Sequence, residues 1–276
     1  MKCRICKDSV KKVYDTLGSR TQLEIPIYQC DACNAYFSFP PETDYSMPNN
    51  TIIDYYKKSK AGIEARHESI SNFVTKEFLP YKGKFLDVGC GIGYSLRILK
   101  ERGWQAIGIE PSETLAQYAK KNINDNVIEG FFSEELISKN SELSLNSFDF
   151  ILIDNVLEHV NHPIDFIRLA STLLNEKGVL IIAVPPVDWF RRLLIKSKFI
   201  RNNLVSSSRI NLFYDVEQHV NYFSRKSIER LILESNVGLK LTSSNVRYHH
   251  SSILNGRISR MLNFETGYFF ITKQSD

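Results

Sequence analysis

A turn with three alternating glycines follows a short apolar segment in the first third of the chain, Phe85–Gly93. Because Gly89, Gly91 and Gly93 have no β-carbon, a ligand can approach their backbone closely, and each tolerates a positive φ. Glu110 ends the next apolar segment, roughly twenty residues on, where an acidic side chain usually binds the ribose hydroxyls of a nucleotide. The pattern predicts a strand–helix–strand unit with a nucleotide-like ligand at the carboxyl end of its first strand.

The glycine spacing separates two classes of ligand. It is Gly-x-Gly-x-Gly, whereas a dinucleotide fingerprint has its third glycine one position later, where this chain has Tyr94. The spacing therefore disfavours NAD. A glycine-rich turn that binds no ligand is the structural alternative.

Four of the five cysteines lie near the start of the chain, as Cys3-x-x-Cys6 and Cys30-x-x-Cys33. Four thiolates at this spacing can complete a tetrahedral Zn²⁺ site, which stabilises a segment too small to have its own core. With four protein ligands the metal has no open position, so we predict a structural zinc ribbon over residues 1–42. Two disulfides are the alternative, and a reducing compartment disfavours them.

Zinc ribbons also occur in proteins that bind nucleic acid, and this alternative stays open. Six basic residues between Lys2 and Arg20 could form a patch, although Asp8 and Asp15 are interleaved with them. Overall the chain of 276 residues has a formal net charge of +4, which is only mildly basic. RNA contact is therefore a secondary hypothesis.

Composition indicates a globular protein with one sizeable core and a small appendage, since 43% of its residues are hydrophobic. No apolar run is long enough to span a bilayer, and the first residues lack the apolar stretch of a signal peptide. We expect a cytoplasmic protein. Residues 43–82 are predicted to form a linker and a helix, in which Tyr55 and Tyr56 precede the main helix. This helix either packs on the sheet in the ordinary way or, as a resemblance described below implies, forms a lid over a ligand pocket.

Strands and helices alternate from residue 83 to 276. A continuously apolar strand, Phe148–Ile153, suits the centre of a parallel sheet and is followed by Asp154. The next helix is predicted over Pro163–Leu174 with Lys177-Gly178 as its end, before a strand at Val179–Val184. The last two strands, near residues 239–243 and 268–271, are predicted to pair like a hairpin at the end of the sheet.

Three motifs, in this order, resemble those of class I S-adenosylmethionine (SAM) dependent methyltransferases: Leu86–Gly93, Gly108–Ser112 and Asp154–Val160. The resemblance covers roughly residues 55–276. It implies an α/β fold with a seven-stranded, mostly parallel, Rossmann-like sheet and helices on both faces. It also implies a methyltransferase that uses SAM as its cofactor.

The resemblance further implies which residues bind SAM. The glycine loop would contact the methionine and ribose parts, Glu110 the ribose hydroxyls, and Asn155 would lie near the cofactor. After the third strand the chain reads Phe131-Phe132-Ser133 and lacks the aspartate common in the family, which leaves the adenine contact open. The complete implied set is Tyr56, Asp87, Gly89, Cys90, Gly91, Gly93, Glu110, Pro111, Phe132, Asp154 and Asn155.

Two histidines are candidates for the catalytic base. The resemblance puts His159 near the transferred methyl, and the segment Tyr214–Ser224 resembles one in bacterial small-molecule and sugar methyltransferases, where a Glu-His pair faces the acceptor. Gln218 stands where that glutamate is expected, so only Glu217 could pair with His219. An unperturbed histidine can accept a hydroxyl proton at neutral pH. A capping or packing role for His159 is the alternative.

An insertion, about residues 187–222, interrupts the shared core. Its segment Trp189–Arg201 is apolar and strongly cationic, which suits a solvated helix, a substrate cover that meets an anionic group, or a membrane surface. We expect substrate cover ahead of membrane contact.

The function indicated is methyl transfer to a hydroxyl of a sugar or nucleotide-linked sugar in polysaccharide or secondary metabolism. The alternatives are an RNA methyltransferase that uses the ribbon to bind RNA, and a non-catalytic SAM-binding protein. Oxygen is the preferred acceptor atom because the chain offers a base and no group that stabilises a carbanion.

Overall fold

The computed structural model describes residues 1–18, 21–39, 49–77, 82–123, 126–185, 187, 216–248 and 266–273. The segment Trp189–Arg201, Phe78 and most of the predicted insertion lie outside these residues. The elements in chain order are β1 (Lys11–Leu17), β2 (Glu24–Gln29), β3 (Tyr36–Ser38), α1 (Asn49–Lys58), α2 (Lys60–Glu77), β4 (Lys84–Val88), α3 (Tyr94–Glu101), β5 (Gln105–Glu110), α4 (Glu113–Asn122), β6 (Val127–Glu129), α5 (Glu134–Lys139), β7 (Phe148–Asp154), a 3₁₀ turn (Leu157–His159), α6 (Pro163–Leu173), β8 (Leu174–Val184), β9 (Asn221–Tyr222), α7 (Arg225–Ser235), β10 (Leu239–Tyr248) and β11 (Thr266–Lys273).

A seven-stranded sheet forms the centre of the molecule, in the order β10-β11-β8-β7-β4-β5-β6. The five strands from β4 to β8 pair in parallel, and β11 is antiparallel to both of its neighbours. The predicted α/β fold is therefore confirmed as a mixed, mostly parallel sheet. The last two strands pair as expected, with β11 inserted between β8 and β10.

Alternate residues of the central strands pack on opposite faces of the sheet. Leu86 and Ile151 belong to one buried cluster with residues of α6 and α7. Phe85 and Leu152 belong to another, with residues of α2, α3 and α4. Because both faces are covered, strands such as β7 consist of almost uninterrupted apolar residues.

The junction between α6 and β8 differs from the prediction. The helix ends at Leu173 and β8 begins at once, so that Lys177-Gly178 lies inside the strand and does not end the helix. Leu174 is fully buried and pairs with Phe148, after which the register shifts so that Val179 pairs with Phe150. The extra residues form a bulge, which a helical sequence pattern could not reveal.

The N-terminal segment forms a second sheet with the order β1-β2-β3-β9. Its fourth strand comes from far along the chain: Tyr36 pairs with Tyr222, and Phe37 with Asn221. Ile5 and Phe37 belong to the same apolar cluster as residues of α6 and α7. The N-terminal segment is thus packed into the remainder of the fold through a shared sheet and a shared core.

None of the helices in the described part of the chain is both long and apolar enough to cross a membrane.

Candidate active site

The glycine loop joins β4 to α3 and is held against β5. Gly89, Gly91 and Gly93 have φ values of 81°, 56° and 84°, the left-handed region that favours glycine. The backbone N–H groups of Gly89 and Cys90 donate to the carbonyl of Ile109 over 2.8 and 3.0 Å. The requirement for glycine here is therefore conformational, and a β-carbon on Gly89 or Gly91 would also clash with Val156 or Tyr56.

Glu110 is tied to the same loop. One carboxylate oxygen accepts a hydrogen bond from the N–H of Gly91 over 2.8 Å, and the other from the N–H of Ser112 over 2.9 Å. Burial raises the pKa of Glu110, and these two hydrogen bonds oppose that rise. Since each carboxylate oxygen has two lone pairs, Glu110 retains acceptor capacity for a sugar diol.

Asp87 is buried beneath the loop with one oxygen unused. Ser95 Oγ donates to Oδ2, whereas Oδ1 has no hydrogen-bond partner in the described part of the chain. Burial raises the pKa of Asp87 to about 7, and the carboxylates of Asp154 and Glu110 add to that rise. A cationic ligand such as the ammonium group of SAM would satisfy Oδ1, so the residues present fit that cofactor.

Tyr56 of α1 lies over the glycine loop. A β-carbon on Gly91 would lie 2.9 Å from the Tyr56 ring. Burial raises the pKa of Tyr56 in this position, with Glu110 acting in the same direction, so its hydroxyl stays protonated. Tyr55 is exposed and contacts Tyr56 edge to face, at 5.9 Å between ring centroids. Of these two tyrosines of α1, Tyr56 is therefore the one that lies against the glycine loop.

A buried cluster missed by the sequence analysis lies at the end of β7. Arg66 and His67 of α2 contact Asp154 Oδ2 over 2.7 and 3.0 Å, and Asn155 Nδ2 donates to Asp154 Oδ1 over 3.0 Å. Burial lowers the pKa of His67, although the hydrogen bond to Asp154 opposes this. The overlooked signal was helical spacing, because Arg66 and His67 follow Ile63 by three and four residues, on the buried face.

The remaining predicted cofactor residues are less clearly grouped. Cys90 is buried within the loop, and Pro111 is exposed directly after Glu110. Phe132 packs edge to face on Phe166 of α6, with 5.0 Å between ring centroids, while Phe131 is exposed. The structure brings the glycine loop, Asp87, Glu110 and Tyr56 together, and it leaves the adenine contact a prediction.

The two candidate histidines lie side by side. His159 ends the 3₁₀ turn after β7, and His219 precedes β9; their rings are nearly perpendicular, with centroids 4.6 Å apart. His219 is buried, whereas His159 is exposed and its Nδ1 lies 3.1 Å from the carbonyl of Gln218. Burial lowers the pKa of His219 to about 3, and His159 adds to the effect. His219 is therefore neutral at any working pH.

Glu158 is a third member of this cluster, and the sequence analysis overlooked it. Its carboxylate is only 1% exposed, and neither oxygen has a hydrogen-bond partner in the described residues. Burial raises the pKa of Glu158 to about 8. The side-chain nitrogen and oxygen atoms of Glu158, His159 and His219 lie within 4.8 Å of one another. The sequence did contain a sign of this role, because Glu158 directly precedes His159, but a carboxylate partner was expected only next to His219.

Glu217, the predicted partner of His219, lies outside that cluster. One of its carboxylate oxygens accepts a hydrogen bond from the N–H of Thr21 over 2.7 Å. The same oxygen lies so close to Gly18 that a β-carbon there would clash with it. That oxygen is directed at the N-terminal segment. Glu158 is a carboxylate that the fold brings close to His159 and His219.

The four N-terminal cysteines converge on one point. The Sγ atoms of Cys3 and Cys33 are 3.6 Å apart, those of Cys6 and Cys30 are 3.4 Å apart, and all four lie within 4.8 Å of one another. None of the chain's cysteines, all of which are described, is in a disulfide. A tetrahedron of sulfurs about 2.3 Å from Zn²⁺ has edges of about 3.8 Å, so the cluster fits the metal.

Comparisons with known proteins agree with this geometry. A family model described as a methyltransferase domain matches residues 63–244. A ubiquinone biosynthesis O-methyltransferase of Rhodopseudomonas palustris (strain TIE-1) is 26% identical over 106 residues, covering 38% of this chain and 41% of that protein. The chain thus spans less than half the length of the curated relatives it matches.

Two solved structures are similar in fold. Magnesium protoporphyrin IX methyltransferase from Synechocystis PCC 6803, with bound SAH, has a TM-score of 0.54 and 13% identity, covering 84% of this chain and 90% of that one. The plantazolicin methyltransferase BamL, in complex with a triazolic desmethylPZN analog and SAH, has a TM-score of 0.58 and 17% identity, covering 84% and 93%.

The sheet, the glycine loop and the acidic residue ending β5 define the class I SAM-dependent methyltransferase fold. Because the family model matches well over half of its length, the chain belongs to the methyltransferase-domain family. The predicted membership of a methyltransferase family is therefore confirmed.

The raised pKa of Asp87 predicts that SAM binding depends on pH. Below about pH 7 the carboxyl carries a proton that the cationic cofactor must displace, so affinity should fall about tenfold per pH unit as the pH decreases from 7. Above pH 7 it should level off. Titration calorimetry between pH 5.5 and 8.5 measures this, and Asp87→Asn should give weaker binding with a flatter profile. A wild-type affinity that is constant over this range would contradict the assignment.

Proposed function

We propose that the protein transfers the methyl group of SAM to a hydroxyl of a small-molecule acceptor, of the sugar or nucleotide-linked sugar class. The observation that carries the proposal is the pairing of a buried, neutral His219 with His159 at the turn after β7. The low pKa of His219 keeps its imidazole neutral but makes it a weak base by itself, so its protonated form would need stabilisation by Glu158 and by the contacting, exposed His159 ring. The relative from Rhodopseudomonas palustris is named an O-methyltransferase, which supports oxygen as the acceptor atom.

The residues divide into two groups. Asp87, the glycine loop and Glu110 would hold the cofactor, whose sulfonium supplies an already activated methyl group. His219, His159 and Glu158 would orient the acceptor hydroxyl and take its proton. Holding two reactants in line lowers the barrier by about 7 to 11 kcal/mol, whereas one positioned base contributes about 10²- to 10⁴-fold in rate. Positioning therefore provides most of the rate enhancement.

Glu158 is proposed to act on the histidines, in the role first expected of Glu217. Buried beside His219, it is protonated in the resting protein at neutral pH because burial raises its pKa to about 8. Once a histidine takes the proton of the acceptor, the new positive charge would drive the Glu158 proton to solvent, and the carboxylate that remains would stabilise the imidazolium until the imidazolium returns a proton to it. Its contribution is thus greatest when the hydroxyl has lost its proton.

We also propose that Cys3, Cys6, Cys30 and Cys33 bind a structural Zn²⁺ and that residues 1–42 form a zinc ribbon. The convergence of four free thiols supports this. The metal would have four protein ligands and no open position, so no catalytic step is assigned to it.

Replacing His219 with alanine should slow turnover by about 10²- to 10⁴-fold, because a positioned base is lost. SAM affinity should change less than about threefold, because the cofactor groups lie on β4 and β5. His162→Ala is the matched control, an exposed histidine that precedes α6. Equal turnover by His219→Ala and wild type would contradict the role of His219.

A panel of acceptors tests the function as a whole. The protein is incubated with radiolabelled SAM and nucleotide sugars, lipid-linked sugars, small phenols or RNA, and label transfer is measured. Transfer to a sugar hydroxyl supports the proposal, and transfer to a phenol alone would correct the acceptor class. Transfer to RNA, with binding that weakens steeply as salt increases, would favour the RNA alternative. SAM binding without transfer to any acceptor would favour a non-catalytic protein.

A further inference from the structure

The segment that carries His219 is bound by the N-terminal sheet on one side. The pairing of β3 with β9 is the first contact. Ser38 Oγ donates to the carbonyl of His219 itself over 2.5 Å, and Thr21 N–H donates to the Glu217 carboxylate over 2.7 Å. These contacts come from two separate places in the N-terminal segment, β3 and Thr21, and they hold the chain on both sides of His219.

Arg4, which lies between Cys3 and Cys6, makes a further contact with this segment. Its guanidinium donates to the carbonyl of Val220 over 2.6 Å, and more weakly to Asn221 Oδ1 and the carbonyl of Ser38, both at 3.4 Å. The guanidinium carbon also lies 4.4 Å from the centre of the Phe39 ring, a cation–π distance. Arg4 is directed inward and held on several sides, and so is poorly placed to bind a phosphate in solution.

The same segment is bound on its other side by the turn that carries His159. Val220 N–H donates to the carbonyl of Glu158 over 2.8 Å. Asn221 Nδ2 donates to the carbonyls of Leu157 and Val160 over 3.1 and 2.6 Å. Val220 thus accepts a hydrogen bond from Arg4 and donates one to Glu158. This single residue links the Cys3–Cys6 segment to the turn that carries His159.

We propose that Arg4 is a positioning residue for His219. The part of the chain before α1 that carries the four cysteines, here called the N-terminal module (residues 1–18 and 21–39), then forms part of the acceptor side of the active site. The inference rests on the proposed role of His219 in the reaction. It gives the N-terminal module a function other than nucleic-acid binding. It also explains why β9 completes the N-terminal sheet: a strand of two residues shared with that sheet holds the backbone next to His219 in one conformation.

The test compares Arg4→Ala with Lys11→Ala, which removes a cation from the same sheet at an exposed ion pair with Asp31. Arg4→Ala should lower kcat by about ten- to a hundredfold, with SAM affinity and zinc content unchanged. Arg4→Lys should recover part of the loss, since an ammonium group can donate to the carbonyl of Val220 but cannot reproduce the planar fork. Lys11→Ala should behave as wild type.

A second readout separates positioning from a general loss of stability. Among the described residues, the groups facing His219 include His159 from the 3₁₀ turn, Glu158 beside it and the Tyr222 ring of β9. NMR titration of ¹³C-labelled histidine should show the pKa of His219, lowered to about 3 by burial, rising toward its ordinary value in Arg4→Ala, because water reaches the ring. A role limited to stability would lower Tm and leave this titration unchanged.

Unchanged kcat and unchanged His219 titration in a zinc-loaded Arg4→Ala protein would overturn the inference. If that variant does not fold, Ser38→Ala removes the hydroxyl bound to the His219 carbonyl. The kcat and the His219 titration of Ser38→Ala then test whether the N-terminal module positions His219. Failure of the proposed function looks different: His219→Ala would then turn over as wild type, while the NMR titration would still report whether Arg4 positions the ring.

Discussion

Replacing Glu110 with alanine is expected to weaken SAM binding by at least about a hundredfold, the largest effect of any single change at the cofactor site. Hydrogen bonds to charged groups contribute about 1.5 to 3 kcal/mol each, and a ribose diol would make two of them to this carboxylate. At about 1.4 kcal/mol per tenfold, that corresponds to about 10² to 10⁴ in dissociation constant. Titration calorimetry at pH 8 measures the loss.

Two companion variants make this result interpretable. Glu113→Ala removes an exposed carboxylate from the first turn of α4 and should bind SAM as wild type. Glu110→Gln keeps the shape of the side chain but places an amide against the N–H groups of Gly91 and Ser112, so it should bind weakly as well. If Glu110→Ala bound SAM within threefold of wild type, the carboxylate would have no role in holding the ribose.

Replacing Cys30 with serine should abolish zinc binding and destabilise the protein. Structural zinc contributes about 10 to 16 kcal/mol in zinc-finger peptides. A loss of even about 4 kcal/mol would lower Tm by about 8 to 16 °C in a domain of this size. Metal analysis should fall from about one zinc per chain to none, and turnover should fall as β9 loses its partner strand.

The fifth cysteine provides the control for the zinc experiment. Cys90→Ser should retain the full zinc content, because Cys90 lies in the glycine loop and outside the cysteine cluster. Wild-type protein without zinc, with a mass lower by the four hydrogens lost in two disulfides, would contradict the metal assignment and favour the disulfide alternative.

The acceptor side of the site is assembled from segments that are distant along the chain. The carbonyl of Glu158, between β7 and α6, accepts a hydrogen bond from Val220, and the carbonyl of Val220 accepts one from Arg4. A change in the N-terminal module should therefore affect the histidines and have much less effect on cofactor binding, because the proposed ligands Asp87 and Glu110 lie on β4 and β5. This separation distinguishes the module from an independent domain on a linker.

The local sequence determined the elements and the cofactor half of the site. Apolar runs and turn residues predicted individual strands and helices, because strand and helix periods are local properties, whereas the arrangement of the sheet was implied by the family resemblance. The glycine loop and Glu110 lie within one strand–helix–strand unit, so their proximity follows from short connections. The convergence of the cysteines was likewise predictable, since paired Cys-x-x-Cys segments have a metal-binding geometry of their own.

Only the tertiary structure decided which carboxylate stands beside the histidines and what the N-terminal module contacts. Glu217 is next but one to His219 in the chain, which is why it was predicted as the partner of that histidine. The fold binds one Glu217 oxygen to Thr21 and brings the carboxylate of Glu158 close to both histidines. Arg66 and His67 were missed for a similar reason, because their partner Asp154 lies on another element. Contacts between distant segments depend on strand pairing and burial across the whole fold, and neither is a property of a local pattern.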